Sequence, residues 1–237
     1  MSSPTLSDYY AAQSRQIVQV FNDQTGFIDN TAVYFESFER LTQQYSLTRN
    51  GSPAPSAPSL GRIGGRLLRS VASVTNPYWG HEELWARGSY RGYRPAFVEW
   101  VQPQVAATVD KTLDGGRFDV DHLFARSRAR EAQSVVRLVL CPQSSNRGWG
   151  AWIEKLDGVR RTRFRHDARY FQLAKVLGIP APPTNDGVPS GSSVQSIVDA
   201  LTAWGVDPLG GDMAVEISGS FRDIASGGPT VVSIGAT

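Results

Sequence analysis

The chain has 237 residues, 41% of them hydrophobic, enough to bury a core as one domain or somewhat more without disulfide staples. Its single cysteine, Cys141, excludes an internal disulfide and any zinc site built on several cysteines. The net charge of +2 is unevenly spread: residues 117–169 carry 12 of the 24 Lys and Arg but 6 of the 22 Asp and Glu, so +6 sits there against −4 elsewhere, a cluster that suits an anionic partner such as nucleic acid and equally a solvated, ion-paired surface.

Residues 1–49 read as an N-terminal helical hairpin. Ser3-Pro4 has the form of an N-cap with proline at the first helical position, and Tyr10, Ile17 and Phe21 follow at helical spacing. Tyr34, Phe38, Leu41 and Tyr45 form a second stripe, read as core packing. The Pro/Ser/Ala-rich stretch at 50–59 is expected to be a linker. Beyond it, Gly61, Gly64 and Gly65 match neither a dinucleotide fingerprint nor a phosphate loop. Residues 78–101 mix aromatic and basic side chains, a composition able to stack on or clamp a nucleic-acid backbone but also common on ordinary mixed surfaces. His81, before Glu82-Glu83, is expected to start a helix.

The central segment, 60–183, carries the chemistry. Phe118 and Val120 alternate with Asp119 and Asp121 as in a strand, "SVVRLVLC" is a second strand-like run, and a helix is expected after "PQSSNRG". Tyr170, Leu173, Ala174 and Leu177 outline a helix closed by Gly178. Residues 184–237 are expected to be a small appendage, a helix on Val194, Ile197, Leu201 and Trp204 followed by a β-hairpin from "MAVEIS" and "TVVSI".

His122 directly follows Asp121, and Asn146 lies 24 residues beyond it. Phosphodiester hydrolysis needs these residue types: a base that titrates near neutrality, as histidine does at about 6.5, and oxygen ligands for a hard cation. Arginine matches phosphate oxygens bidentately, which makes Arg117, Arg126, Arg128 and Arg147 the nucleic-acid-binding candidates. Cys141 is expected to be a buried strand-end thiol, not a nucleophile.

Asp119-Val120-Asp121-His122 followed by Asn146-Arg147-Gly148 resembles the HNH, or His-Me finger, endonuclease motif, in the form seen in the HNH domain of RNA-guided nucleases. The resemblance covers about 35 residues. It implies a general base at His122, ligands for Mg²⁺ or Mn²⁺ at Asp121 and Asn146, and a ββα-metal core within an α+β, mainly helical protein. The family's usual asparagine at the start of the second strand is replaced here by Arg137, which with Asp119 is an orienting candidate; His166, in "RFRHDAR", is read as an auxiliary phosphate contact or as part of a basic face.

The expected function is therefore metal-dependent endonuclease hydrolysis, of DNA before RNA. Small HNH-like domains with helical extensions also resemble interbacterial toxins, that is, secretion-system effectors, which implies an immunity protein and a delivery partner. With no Sec-type signal or membrane span read in the sequence, the expected location is the producer's cytoplasm, with delivery into a target cell by a non-Sec route. The rival is a non-catalytic nucleic-acid- or protein-binding module or adaptor that keeps the ββα outline while Arg137 disables the histidine.

Overall fold

Thr5 opens the first helix, α1 (Leu6–Asn22). Its hydroxyl accepts from the Asp8 N–H at 3.2 Å and the Asp8 carboxylate accepts from the Thr5 N–H at 2.8 Å, a closed capping box. The cap is thus two residues later than the predicted Ser3. The structure, a computed structural model, describes residues 4–23, 31–46, 60–61, 63, 70–76, 79–124, 129, 132–157, 165–183, 189–208 and 211–226.

In chain order α1 is followed by β1 (Ala32–Phe35), α2 (Phe38–Tyr45), β2 (Leu60–Gly61), β3 (Val71–Thr75), β4 (Glu82–Arg87) and α3 (Tyr93–Val101). Then come β5 (Phe118–His122), β6 (Val135–Pro142), α4 (Gln143–Asp157), β7 (Arg165–Asp167), α5 (Tyr170–Val176), α6 (Gly191–Ala203) and α7 (Met213–Ser226). The fold is mixed α+β. The strands form one antiparallel sheet in the order β2-β3-β4-β6-β1-β7, with β5 paired to β6 off that path. Among the described residues no helix is long and apolar enough to cross a membrane.

The predicted strand, strand, helix succession is present as β5, β6 and α4. The predicted hairpin at 1–49 is not. Tyr34 lies in β1, and the second helix starts only at Phe38, after Ser37 caps it by accepting from the Arg40 N–H at 3.2 Å. The four-residue spacing from Tyr34 to Phe38 spans a strand end and a cap, not a helical turn. β1 pairs with β6, so a segment preceding residues 50–59 is part of the same sheet as the central one; the stretch 50–59 itself lies outside the described residues.

The C-terminal appendage also differs from expectation. α6 forms as predicted, but "MAVEIS" begins a helix, not a strand. Asp212 caps it, its carboxylate accepting from the Ala214 N–H at 2.8 Å, and Met213, Ile217 and Phe221 are buried at helical spacing. Val215, which strand alternation would have buried, is 61% exposed. "TVVSI" lies outside the described residues. His81 precedes a strand, β4, where a helix had been expected.

β6 is the centre of the sheet. Leu138 and Leu140 share one apolar cluster with Phe118, Val120, Leu84 and the α3 residues Phe97 and Trp100. Val136 and Val139 join a second with α1, α5, α6 and α7. Val135 joins a third with Phe35, Trp85 and the α2 residues Leu41 and Tyr45. Each such side chain stabilises the fold by roughly 1.5–3 kcal/mol on full burial. Gln13 of α1 serves β6 as a further strand would, donating to the Leu140 carbonyl at 2.8 Å and accepting from its N–H at 2.9 Å.

Arg137 interrupts this apolar strand. It is buried, and its Nη1 lies 3.2 Å from Glu83 Oε1, an ion pair that ties β6 to β4. Tyr45 Oη donates to Glu83 Oε2 at 2.6 Å, Trp85 Nε1 to the same oxygen at 3.0 Å and Asn76 Nδ2 to Oε1 at 3.2 Å, while His81 Nε2 lies 3.1 Å from Oε1. Burial alone pushes the Glu83 carboxyl up, but the guanidinium of Arg137 and the His81 and Tyr45 contacts outweigh it and hold the pKa at about 2. Its ordinary value is 4.5, so Glu83 contributes stability above that pH which is lost as pH falls toward 2. Glu83→Gln is expected to lower stability at pH 7 by about 3–5 kcal/mol in urea denaturation, because Arg137 stays buried without its counter-charge. It is also expected to flatten the pH dependence of stability between 4.5 and 2; an unchanged slope there would mean another carboxylate governs acid unfolding.

Candidate functional site

Consecutive strand residues point to opposite sides of a sheet. In β5 this puts Phe118, Val120 and His122 on the face covered by α3, and Asp119 and Asp121 on the other. The strand is launched by a tight turn in which Leu113, Asp114, Gly115 and Gly116 all have positive φ, 56°, 62°, 64° and 85°. Leu113 is fully buried, so core packing holds a backbone that costs a non-glycine residue about 1–3 kcal/mol.

Asn146, in the first turns of α4, reaches the carboxylate face, its Nδ2 donating to Asp119 Oδ2 at 3.2 Å. Its neighbour Ser145 is buried and donates to the Lys175 carbonyl at 2.7 Å, and Trp149, one helical turn on, donates to the Ile179 carbonyl at 2.7 Å. These bonds lock α4 against the end of α5 and so fix where Asn146 points. Gly148 belongs to the same packing: a Cβ there would stand 3.1 Å from the Ala181 Cβ. Gly178 closes α5 as predicted, with φ of +74°.

Two basic side chains complete the face. Arg94, in the first turn of α3, donates from Nη2 to Asp119 Oδ1 at 2.9 Å, while its Nε is buried without a hydrogen-bond partner. Lys175 of α5 puts its ammonium on Asp121 Oδ2; the lysine side chain is 5% exposed and the aspartate 15%. Burial pushes the Asp121 carboxyl above its ordinary 3.8, and Lys175, by charge and hydrogen bond, opposes that without cancelling it.

His122 ends β5 opposite Leu138, 8% exposed, with its ring edge-on to Tyr93 at 4.2 Å between centroids. Next to it, the backbone carbonyl of Arg137 accepts from the Leu123 N–H at 2.9 Å. Its side chain is engaged with Glu83. The structure therefore brings Asp119, Asn146 and Arg94 together, sets Asp121 beside Lys175, and turns His122 to the other face of the strand.

The remaining candidates sit further out. Arg147 is exposed on α4. Arg117 is exposed just before β5, 3.3 Å from Ser7 Oγ and 3.7 Å from Asp114. His166 is in β7, paired with Tyr34, and Arg126 and Arg128 lie outside the described residues. Cys141, opposite Asp119, is buried as expected, and burial raises its thiol well above the ordinary 9.0. Arg94 and Lys175 were not singled out from sequence. Arg94 falls in the aromatic and basic run at 78–101; Lys175 sits in a helix whose every residue is buried, and a lysine at such a position signals a buried partner.

Among the described residues no three His, Cys, Asp or Glu side chains are grouped to hold a metal. The donors that fit a hard divalent cation are the carboxylates of Asp119 and Asp121, on one face, and the amide oxygen of Asn146, whose nitrogen already faces Asp119. That Asp121 holds a cationic group inside the protein fits a position suited to positive charge. Compared with protein-family models, curated proteins and solved structures, the chain matches none.

Lys175→Met is expected to cost about 3–5 kcal/mol, because it leaves the Asp121 carboxylate buried and uncompensated. The double variant D121N/K175M is expected to cost less than the sum of the single changes, with a coupling of roughly 1–3 kcal/mol in urea denaturation. Strictly additive losses would show that the pair contributes nothing as a pair.

Proposed function

We propose that the protein is a metal-dependent endonuclease that cleaves nucleic-acid phosphodiester bonds, DNA before RNA, at the junction of β5, α4 and the start of α3. The observation that carries this reading is the convergence of Asp119, Asn146 and Arg94 on the face of β5 that also holds Asp121. A bound Mg²⁺ or Mn²⁺ would be held by Asp121 and Asn146 and would supply Lewis-acid stabilisation of charge developing on the phosphate. His122 is the general base in this reading, its imidazole taking the proton of the attacking water. Arg94, Arg117 and Arg147 bind and orient the phosphate backbone.

A specific observation favours a second reading. His122 is nearly buried against Tyr93 and belongs to the opposite face of β5 from Asp121. A module that binds nucleic acid without cutting it would tolerate that placement, whereas a general base must come within hydrogen-bond reach of its water. As a toxin delivered between bacteria, the protein would further require an immunity partner, and the nuclease reading alone is compatible with that context.

Nicking of supercoiled plasmid separates the two. The expected result is conversion to open circles with Mg²⁺, none with EDTA, and a rate lowered by about 10²–10⁴-fold in His122→Ala. Intact plasmid, together with DNA affinity that falls steeply with salt and survives His122→Ala, would establish the binding module instead.

A further inference from the structure

Lys175 is not a surface side chain that happens to reach an acid. Its backbone carbonyl is fixed by Ser145 Oγ, the residue next to Asn146, and accepts from the Gly178 N–H at 3.3 Å, while Tyr10 Oη donates to the next carbonyl, Val176, at 3.0 Å. The lysine is thus positioned by the same helix turn that positions Asn146. Its ammonium lies on the carboxylate oxygen of Asp121 that faces it, deep enough that water does little to screen the charge. Asp119 is paired with Arg94, whose side chain is 42% exposed, so each carboxylate of the face has a cationic side chain of the chain's own, and only Lys175 is buried.

We propose that Lys175 is the built-in counter-ion of the site, and that a divalent cation binds Asp121 only by displacing it. A second cation at the same oxygen would meet a full positive charge at contact range, a repulsion that favours one occupant at a time. The carboxylate is never left bare: without metal it holds Lys175, and with metal the lysine, anchored through its backbone, is released beside the position of the scissile phosphate. The inference rests on the metal-dependent reading above and adds that metal affinity is set by a competitor within the chain. It predicts a weak, readily reversed metal site whose occupancy changes the exposure of one particular lysine.

The chain has three lysines, at 111, 155 and 175, which makes the test direct. Acetylation of wild-type protein by acetic anhydride, read by mass spectrometry, is expected to leave Lys175 protected in EDTA and to label it severalfold faster at saturating Mg²⁺. The exposed Lys111 serves as the internal reference and should not change. In parallel, Mn²⁺ binding followed by electron paramagnetic resonance is expected to be about tenfold tighter in folded Lys175→Met than in wild type, and lost in Asp121→Asn. Continued protection of Lys175 with Mn²⁺ bound would overturn the proposal, as would equal or weaker binding in folded Lys175→Met, or no Mn²⁺ binding to wild type or the folded variant. The labelling experiment needs no variant, so it decides even where Lys175→Met does not fold. Metal-driven exposure of Lys175 without plasmid nicking would leave this inference standing and remove the nuclease; nicking without exposure would do the reverse.

Discussion

The ion pair between Arg137 and Glu83 is the constraint around which the sheet is organised. β6 bonds to β1, β4 and β5 and is buried from Val135 to Cys141, yet its third residue is an arginine. Such a charge is tolerable inside a protein only beside a fixed counter-charge. Glu83 supplies the partner, and Tyr45, Asn76, His81 and Trp85 saturate the carboxylate. Those side chains come from α2, the turn after β3, and β4, so satisfying one charge fixes the relation of all three to the central strand. A one-residue slip of β4 against β6 would part the pair and bury both charges alone.

That demand reaches the candidate site through the backbone. While its side chain is held on Glu83, the Arg137 carbonyl binds the residue after His122, and the next residues of β6 pair with β5. The position of the carboxylate face is thus inherited from the buried polar network behind it. α4 follows β6 without a break, so Asn146 is placed by the same strand, and Ser145 then ties that helix to α5 and Lys175.

Much of this was legible from residue pattern alone where the pattern was long. β5, β6, α5 and α6 were readable from alternation or helical spacing, whereas α4 was expected only after Gly148 and begins at Gln143, so Asn146 lies within it. Segments that cross a boundary between elements, or that fit both periods, failed. Tyr34 to Tyr45 and Met213 to Ser218 each fit both a strand and a helix over a few residues, and the choice was made by caps, Ser37 and Asp212, and by what the rest of the core could bury. Val215 shows the error most plainly: alternation would bury it, and the helical stripe of Met213, Ile217 and Phe221 leaves it in solvent. The residues of the candidate site were legible as chemical types, but their partners were not. Arg94 and Lys175 stand 25 and 54 positions from the aspartates they meet, separations that no local pattern encodes.

Charge counting illustrates why composition and geometry give different answers. The basic excess at 117–169 spans the strand that carries Asp119 and Asp121, yet the cations in contact with these carboxylates lie outside that window on either side. Within it, Arg137 is internal and bound to Glu83, while Arg117 and Arg147 remain exposed near the ends of β5 and α4. Basic residues in this protein therefore have two separate physical tasks. Those drawn inside compensate buried carboxylates and hold elements together; those left outside are the ones that the proposed function assigns to an anionic partner. On the proposed function, a phosphate backbone approaching the β5–α4 edge would meet the second group first, and only then the carboxylates and their counter-ions. Electrostatic attraction at long range and charge exchange at short range are on this view carried by different residues, which is why substituting an exposed arginine and substituting Lys175 must have different consequences.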